Sequence, residues 1–81
     1  MTRNQHAERV ARRVGEVSRA KRVTQAAIGH HLGISQQAVN RRFVGEIEWR
    51  VGELYAIAEL LGTPYAELVA DDTAELSTPT A

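Results

Sequence analysis

The sequence predicts an all-α fold, a compact five-helix bundle, and three observations carry that expectation. Apolar residues recur at helical spacing in one segment after another, while strand-like alternation never survives more than a few residues. Residues suited to cap helix N-termini (Thr2, Thr24, Ser35, Thr63) stand ahead of those segments. Gly33, Gly45 and Gly62 stand just behind them, where helices end. At 81 residues the chain is one small domain, too short for a barrel or a doubly wound sheet.

The first helix opens with Thr2 and Gln5 at capping-box spacing and runs to about residue 20. Val10, Val14 and Val17 form its apolar stripe, with Arg9, Arg12, Arg13 and Arg19 off it. The second helix is capped by Thr24, carries Ile28 and Leu32, and stops at Gly33. Ser35 caps the third, whose apolar side is Val39 and Phe43 and which ends at Gly45. Glu46 to Arg50 is a loop pinned by Ile47 and Trp49, with Trp49 assigned to the core between the third and fourth helices. The fourth helix has the strongest pattern, Val51, Leu54, Ile57, Ala58 and Leu61, and Gly62 stops it. Thr63 is the expected cap of the fifth, with Pro64 in its first turn and Tyr65, Leu68 and Val69 available to pack. Tyr55 and Tyr65 are expected half-buried with wet hydroxyls. The helical domain is thus expected over 1–70, and 71–81 reads as a disordered acidic tail.

Zero net charge hides a segregation. Residues 1–50 hold all ten basic and four of the acidic residues, a balance of +6, whereas residues 51–81 hold six acids and no base, −6. A bipolar molecule of this kind can turn one face to a polyanion. The excess of Arg over Lys suits bidentate phosphate and guanine contacts, and equally suits a GC-rich gene. The absence of cysteine excludes disulfides, Cys-based zinc sites and a thiol nucleophile. With no long apolar run and no apolar leader, no membrane is expected and the chain reads as cytoplasmic.

The informative segment is TQAAIGHHLGISQQAVNRRFVG, residues 24–45. Gly29 provides a small residue where two helices touch. Gly33 tolerates the positive φ of a tight turn, and Ile28, Leu32, Ile34 and Val39 supply the wedge between the helices. This is helix-turn-helix spacing. With Thr24-Gln25, Ser35-Gln36-Gln37 and Phe43-Val44-Gly45, it resembles the phage lambda-repressor-like (Cro/Xre-type) family, and the likeness runs over roughly 8–70 through Trp49, Leu54-Tyr55-Ala56-Ile57-Ala58 and Leu61-Gly62 to Leu68.

That resemblance implies a transcriptional regulator, Cro-like in size, acting as a homodimer on an inverted-repeat operator in double-stranded DNA. The third helix would enter the major groove, with Gln36, Gln37, Asn40 and Arg41 as candidate base contacts. The wheel agrees, since Gln37, Asn40 and Arg41 point away from Val39 and Phe43; Gln or Asn pairs with adenine and Arg with guanine. Gln25 would bind a phosphate and brace Gln36. Arg19, Lys21, Arg22, Thr24, Ser35, Arg42 and Arg50 are the other candidate backbone contacts. About five phosphate-bound cations would give a salt slope of roughly −4 to −5. Tyr65, Leu68 and Val69 are the candidate dimer interface, with core closure by Leu68 as the alternative.

Three positions depart from the family pattern. Arg42 replaces an aliphatic residue and is expected to pack its stem while its head reaches a phosphate or Glu46. Val44 stands where a polar backbone contact is common. Arg50 replaces the N-cap Ser, Thr or Asp that would complete a capping box with Glu53. His30 and His31 are adjacent, so they do not share a helix face as metal ligands would, and both are expected exposed. No cofactor, small-molecule ligand or catalytic set is expected. Two rivals remain: a protein-interaction module on the same fold, such as an antitoxin or host-factor inhibitor working through the acidic half, and a recombination accessory protein that bends DNA.

Overall fold

The computed structural model describes residues 5–70, and among these all regular structure is helical. The helices are α1 (Gln5–Ala20), α2 (Gln25–Leu32), α3 (Gln36–Phe43), α4 (Val51–Leu61) and α5 (Tyr65–Leu68). The Thr2 cap and the proposed tail over 71–81 lie outside the described residues. No helix among the described residues is long and apolar enough to cross a membrane.

The stripes read from the sequence meet in one core. Val14, Ile28, Val39, Ile57 and Leu68 are fully enclosed, with Val10, Leu54 and Leu61 beside them. α2 packs on both α3 and α4, while α1 packs on α3 and α5. Trp49 is buried and meets Phe43 edge to face, ring centroids 6.1 Å apart, which seats the loop after α3 against the core.

α1 to α4 all end in the same clasp. The N–H of the C′ residue bonds three residues back, and the next N–H bonds five residues back. The pairs are Arg22–Arg19 and Val23–Ser18, then Gly33–His30 and Ile34–Gly29, then Gly45–Arg42 and Glu46–Arg41, then Gly62–Glu59 and Thr63–Ala58. Each clasp needs a left-handed C′ residue. Three are glycines, at φ 74, 87 and 63, and the fourth is Arg22 at φ 60.

Four expectations are corrected. Thr63 does not cap α5: it is buried and its N–H completes the α4 clasp, so Pro64, with ψ 138, becomes the residue before α5. Val51 is 59% exposed, at an open depression it lines with Ala7, Val10, Trp49, Tyr65 and Val69. Ile47 is also exposed, leaving Trp49 as the anchor of the loop. Tyr55 is exposed rather than half-buried, and its ring lies flat on that of Tyr65, 4.1 Å between centroids and 13° between planes.

Candidate nucleic-acid interface

The two central helices are fixed by their caps. Thr24 Oγ1 accepts from the Ala27 N–H and Ser35 Oγ from the Ala38 N–H, each at 3.0 Å. Both hydroxyls keep a proton to donate, so capping leaves Thr24 and Ser35 able to hold a phosphate. Between them the turn folds tightly onto α2: a Cβ at Gly29 would lie 2.7 Å from the Ile34 carbonyl oxygen. That approach sets the steep entry of α3, because the chain turns back within three residues of leaving α2.

On α3 the buried side is Val39 and Arg42, with Phe43 half-buried, and the exposed side is Gln36, Gln37, Asn40 and Arg41. These four, with Gln25 and Glu46, line one open depression. Gln25 Nε2 donates to Asn40 Oδ1 at 3.3 Å. Gln25 therefore braces Asn40 rather than Gln36; the two are i, i+4 neighbours on α3, and α2 starts beside the second. Glu46, which no sequence motif marked, also belongs to this site. It lines the depression with the candidate base contacts, and a carboxylate at such a place can accept from cytosine N4 or repel a phosphate.

The cations are arranged unequally. Lys21, Arg22 and Arg50 are exposed at helix junctions. Arg19 is exposed too, but it lies back over Gly15 and lines a second depression with Phe43, Val44 and Gly45, at the C-terminal end of α3. Arg13 donates from Nη1 to the Glu67 carbonyl at 2.8 Å and so ties α5 to α1.

Arg42 is corrected from a phosphate contact to an internal tie. Its Nε and Nη2 donate to the two carboxylate oxygens of Glu53, at 3.0 and 3.2 Å, and its Nη1 to the Ala38 carbonyl at 2.9 Å. The guanidinium also lies 5.8 Å from the centroid of the Trp49 ring. Its wheel position faces the core, so the head goes to the acid across the α3–α4 junction and away from solvent and from Glu46. Glu53 additionally accepts from the Arg50 N–H at 3.0 Å, which is half of a capping box. The other half cannot form, because a guanidinium has no acceptor. Burial alone would raise the Glu53 pKa. The Arg42 hydrogen bonds, the Arg50 N–H and the charges of both arginines outweigh it and hold the carboxyl below its ordinary 4.5.

Of the candidate dimer residues, Leu68 is corrected: it is fully enclosed and closes the core of the chain itself, the alternative reading of that residue. Tyr65 and Val69 are half-buried at the surface. His30 and His31 are exposed, and among the described residues no three His, Asp or Glu side chains group as metal ligands would.

No curated protein matches this sequence. The family model described as the BetR domain matches residues 2–80, nearly the whole chain. With two central helices joined by a tight glycine turn and the rest of the bundle packed behind them, the chain belongs to the BetR domain family, small helical domains of helix-turn-helix type.

Proposed function

We propose that the protein binds double-stranded DNA sequence-specifically and regulates transcription from an inverted-repeat operator, in the manner of a Cro-like repressor. One observation carries the reading. Gln36, Gln37, Asn40 and Arg41 share the outward face of a short helix, with Gln25 bonded to Asn40 at their edge. Amides and a guanidinium on one uncluttered face are what reading adenine and guanine edges in a major groove requires. Thr24, Ser35, Lys21, Arg22 and Arg50, all exposed, are the phosphate partners this reading assigns, together with Arg19 at the C-terminal end of α3. A single α3 spans only a few base pairs, so two protomers bind half-sites about one helical turn, roughly 10 bp, apart.

The test is selection of duplexes from a random library at about 150 mM salt, where nonspecific phosphate binding is weak. Enrichment of an inverted repeat is expected. Gln37→Ala and Arg41→Ala should each lose roughly 1–3 kcal/mol of discrimination at one base position. Failure to enrich any sequence would overturn the reading and turn attention to protein partners of the acidic half.

A further inference from the structure

Glu46 is an odd residue to find on a face assigned to a polyanion. It shares an open depression with Gln25 and the four exposed residues of α3, and it is the only acid among the six. The clasp at the end of α3 puts it there. The Glu46 N–H donates to the Arg41 carbonyl at 2.8 Å, so the two residues are held side by side. Both side chains are exposed, and among the described residues neither makes an ion pair. A carboxylate so placed lowers affinity for every DNA sequence alike, because the phosphates repel it. What it adds is a hydrogen-bonding character that no other side chain in the depression has. Gln25, Gln36, Gln37 and Asn40 end in amides, which donate and accept. Arg41 donates only, and an ionised Glu46 accepts only.

These two characters, held together, match one kind of base pair. Across the major groove a G·C pair presents guanine N7 and O6, both acceptors, and then the cytosine N4 donor. An A·T pair presents acceptor, donor, acceptor, with adenine N6 in the middle. A guanidinium spanning two adjacent acceptors, beside a carboxylate facing one donor, fits the first pattern. On the second pattern the guanidinium would meet an amino group and the carboxylate a carbonyl oxygen. We infer that Glu46 reads the N4 amino group of a cytosine whose paired guanine is contacted by Arg41. The two side chains then specify both halves of one G·C pair, and with them its orientation. The inference rests on the DNA-binding reading and gives Glu46 a part in it: lower affinity for DNA in general, and sharper discrimination at one pair.

N4-methylcytosine is the probe, because its methyl group replaces the N–H that faces the groove and leaves the pairing N–H in place. Duplexes selected by the unaltered full chain are remade with N4-methylcytosine at each cytosine in turn, and binding is measured at about 150 mM salt. One cytosine in each half-site should be sensitive, with binding weakened about tenfold. Its partner should be the guanine whose preference Arg41→Ala abolishes. Glu46→Ala should lose that sensitivity and bind mixed-sequence duplexes about two- to fivefold more tightly, the size of an exposed charge effect. The Glu46 side chain is exposed, so thermal unfolding of the variant should be unchanged. Tolerance of N4-methylcytosine at every position would overturn the inference and spare the DNA-binding reading. So would Glu46→Ala and Arg41→Ala relaxing different base pairs. A Glu46→Ala protein that gains affinity for all duplexes with unchanged base preferences would overturn it as well, since the carboxylate would then only repel phosphate. A selection that enriches no sequence overturns both readings.

Discussion

Arg22 sits at φ 60, in the left-handed region, at the end of α1. A side chain there costs about 1–2 kcal/mol relative to glycine, and the three equivalent positions are glycines. Arg22→Gly should therefore stabilise the fold by about 1 kcal/mol, read as a higher urea midpoint with unchanged slope. If Arg22 also holds a phosphate, the same variant binds DNA more weakly, so stability and affinity move in opposite directions. Gly29 is constrained in the opposite way. Its Cβ would lie 2.7 Å from a backbone oxygen, which a rotamer change cannot relieve. Gly29→Ala should cost roughly 1–3 kcal/mol in the same urea experiment, and α3 should shift with it.

At the scale of elements, the junction of α3 and α4 rests on the pair Arg42–Glu53, with side chains only 11% and 17% exposed. Removing one partner leaves the other charge poorly solvated, so Glu53→Ala should destabilise by about 2–4 kcal/mol, part of it the lost α4 cap. Arg42→Met removes the charge and keeps the stem, and should cost less than Glu53→Ala. Because the folded Glu53 carboxyl titrates below its ordinary 4.5, the pair's stabilisation is complete above that range and is lost as pH falls through the lowered folded value. Glu53→Gln should flatten that part of the stability–pH curve, measured by urea unfolding at a series of acidic pH values.

The same junction shows what was legible in the sequence. Helix starts at Thr24 and Ser35 and ends at Gly33, Gly45 and Gly62 were readable, because caps and clasps are local chemistry within six residues. The exposed face of α3 was readable too, since its direction follows from Val39 and Phe43. The partner of Arg42 was not. Glu46 is nearer in sequence, and only the turn between the helices decides that Glu53 is nearer in space. Nor was the exposure of Val51 legible: periodicity gives the direction of a stripe, but where a neighbouring helix stops covering it is a fact of packing.

At the scale of the whole molecule, the balance of +6 over residues 1–50 lies with α1 to α3, and the −6 over residues 51–81 begins with α4. On the proposed DNA-binding reading, association would be oriented as well as attracted, since the acidic half of the sequence would be repelled. Withdrawing Arg42 into the core leaves Arg19, Lys21, Arg22 and Arg50 as the candidate phosphate cations. The logarithm of the binding constant should accordingly fall against log salt with a slope of roughly −3 to −4 for each protomer bound, about twice that for two protomers on an operator. A slope near zero from a filter-binding titration would contradict the assignment of those four residues.

The four clasps also bear on how quickly the chain finds its shape. Each closes between residues no more than five apart, so every long helix can settle its own end before meeting a neighbour. The tie from Arg13 to Glu67 is of another kind, because it spans 54 residues and fixes α5. Folding is then expected within microseconds to milliseconds, as for other helical bundles.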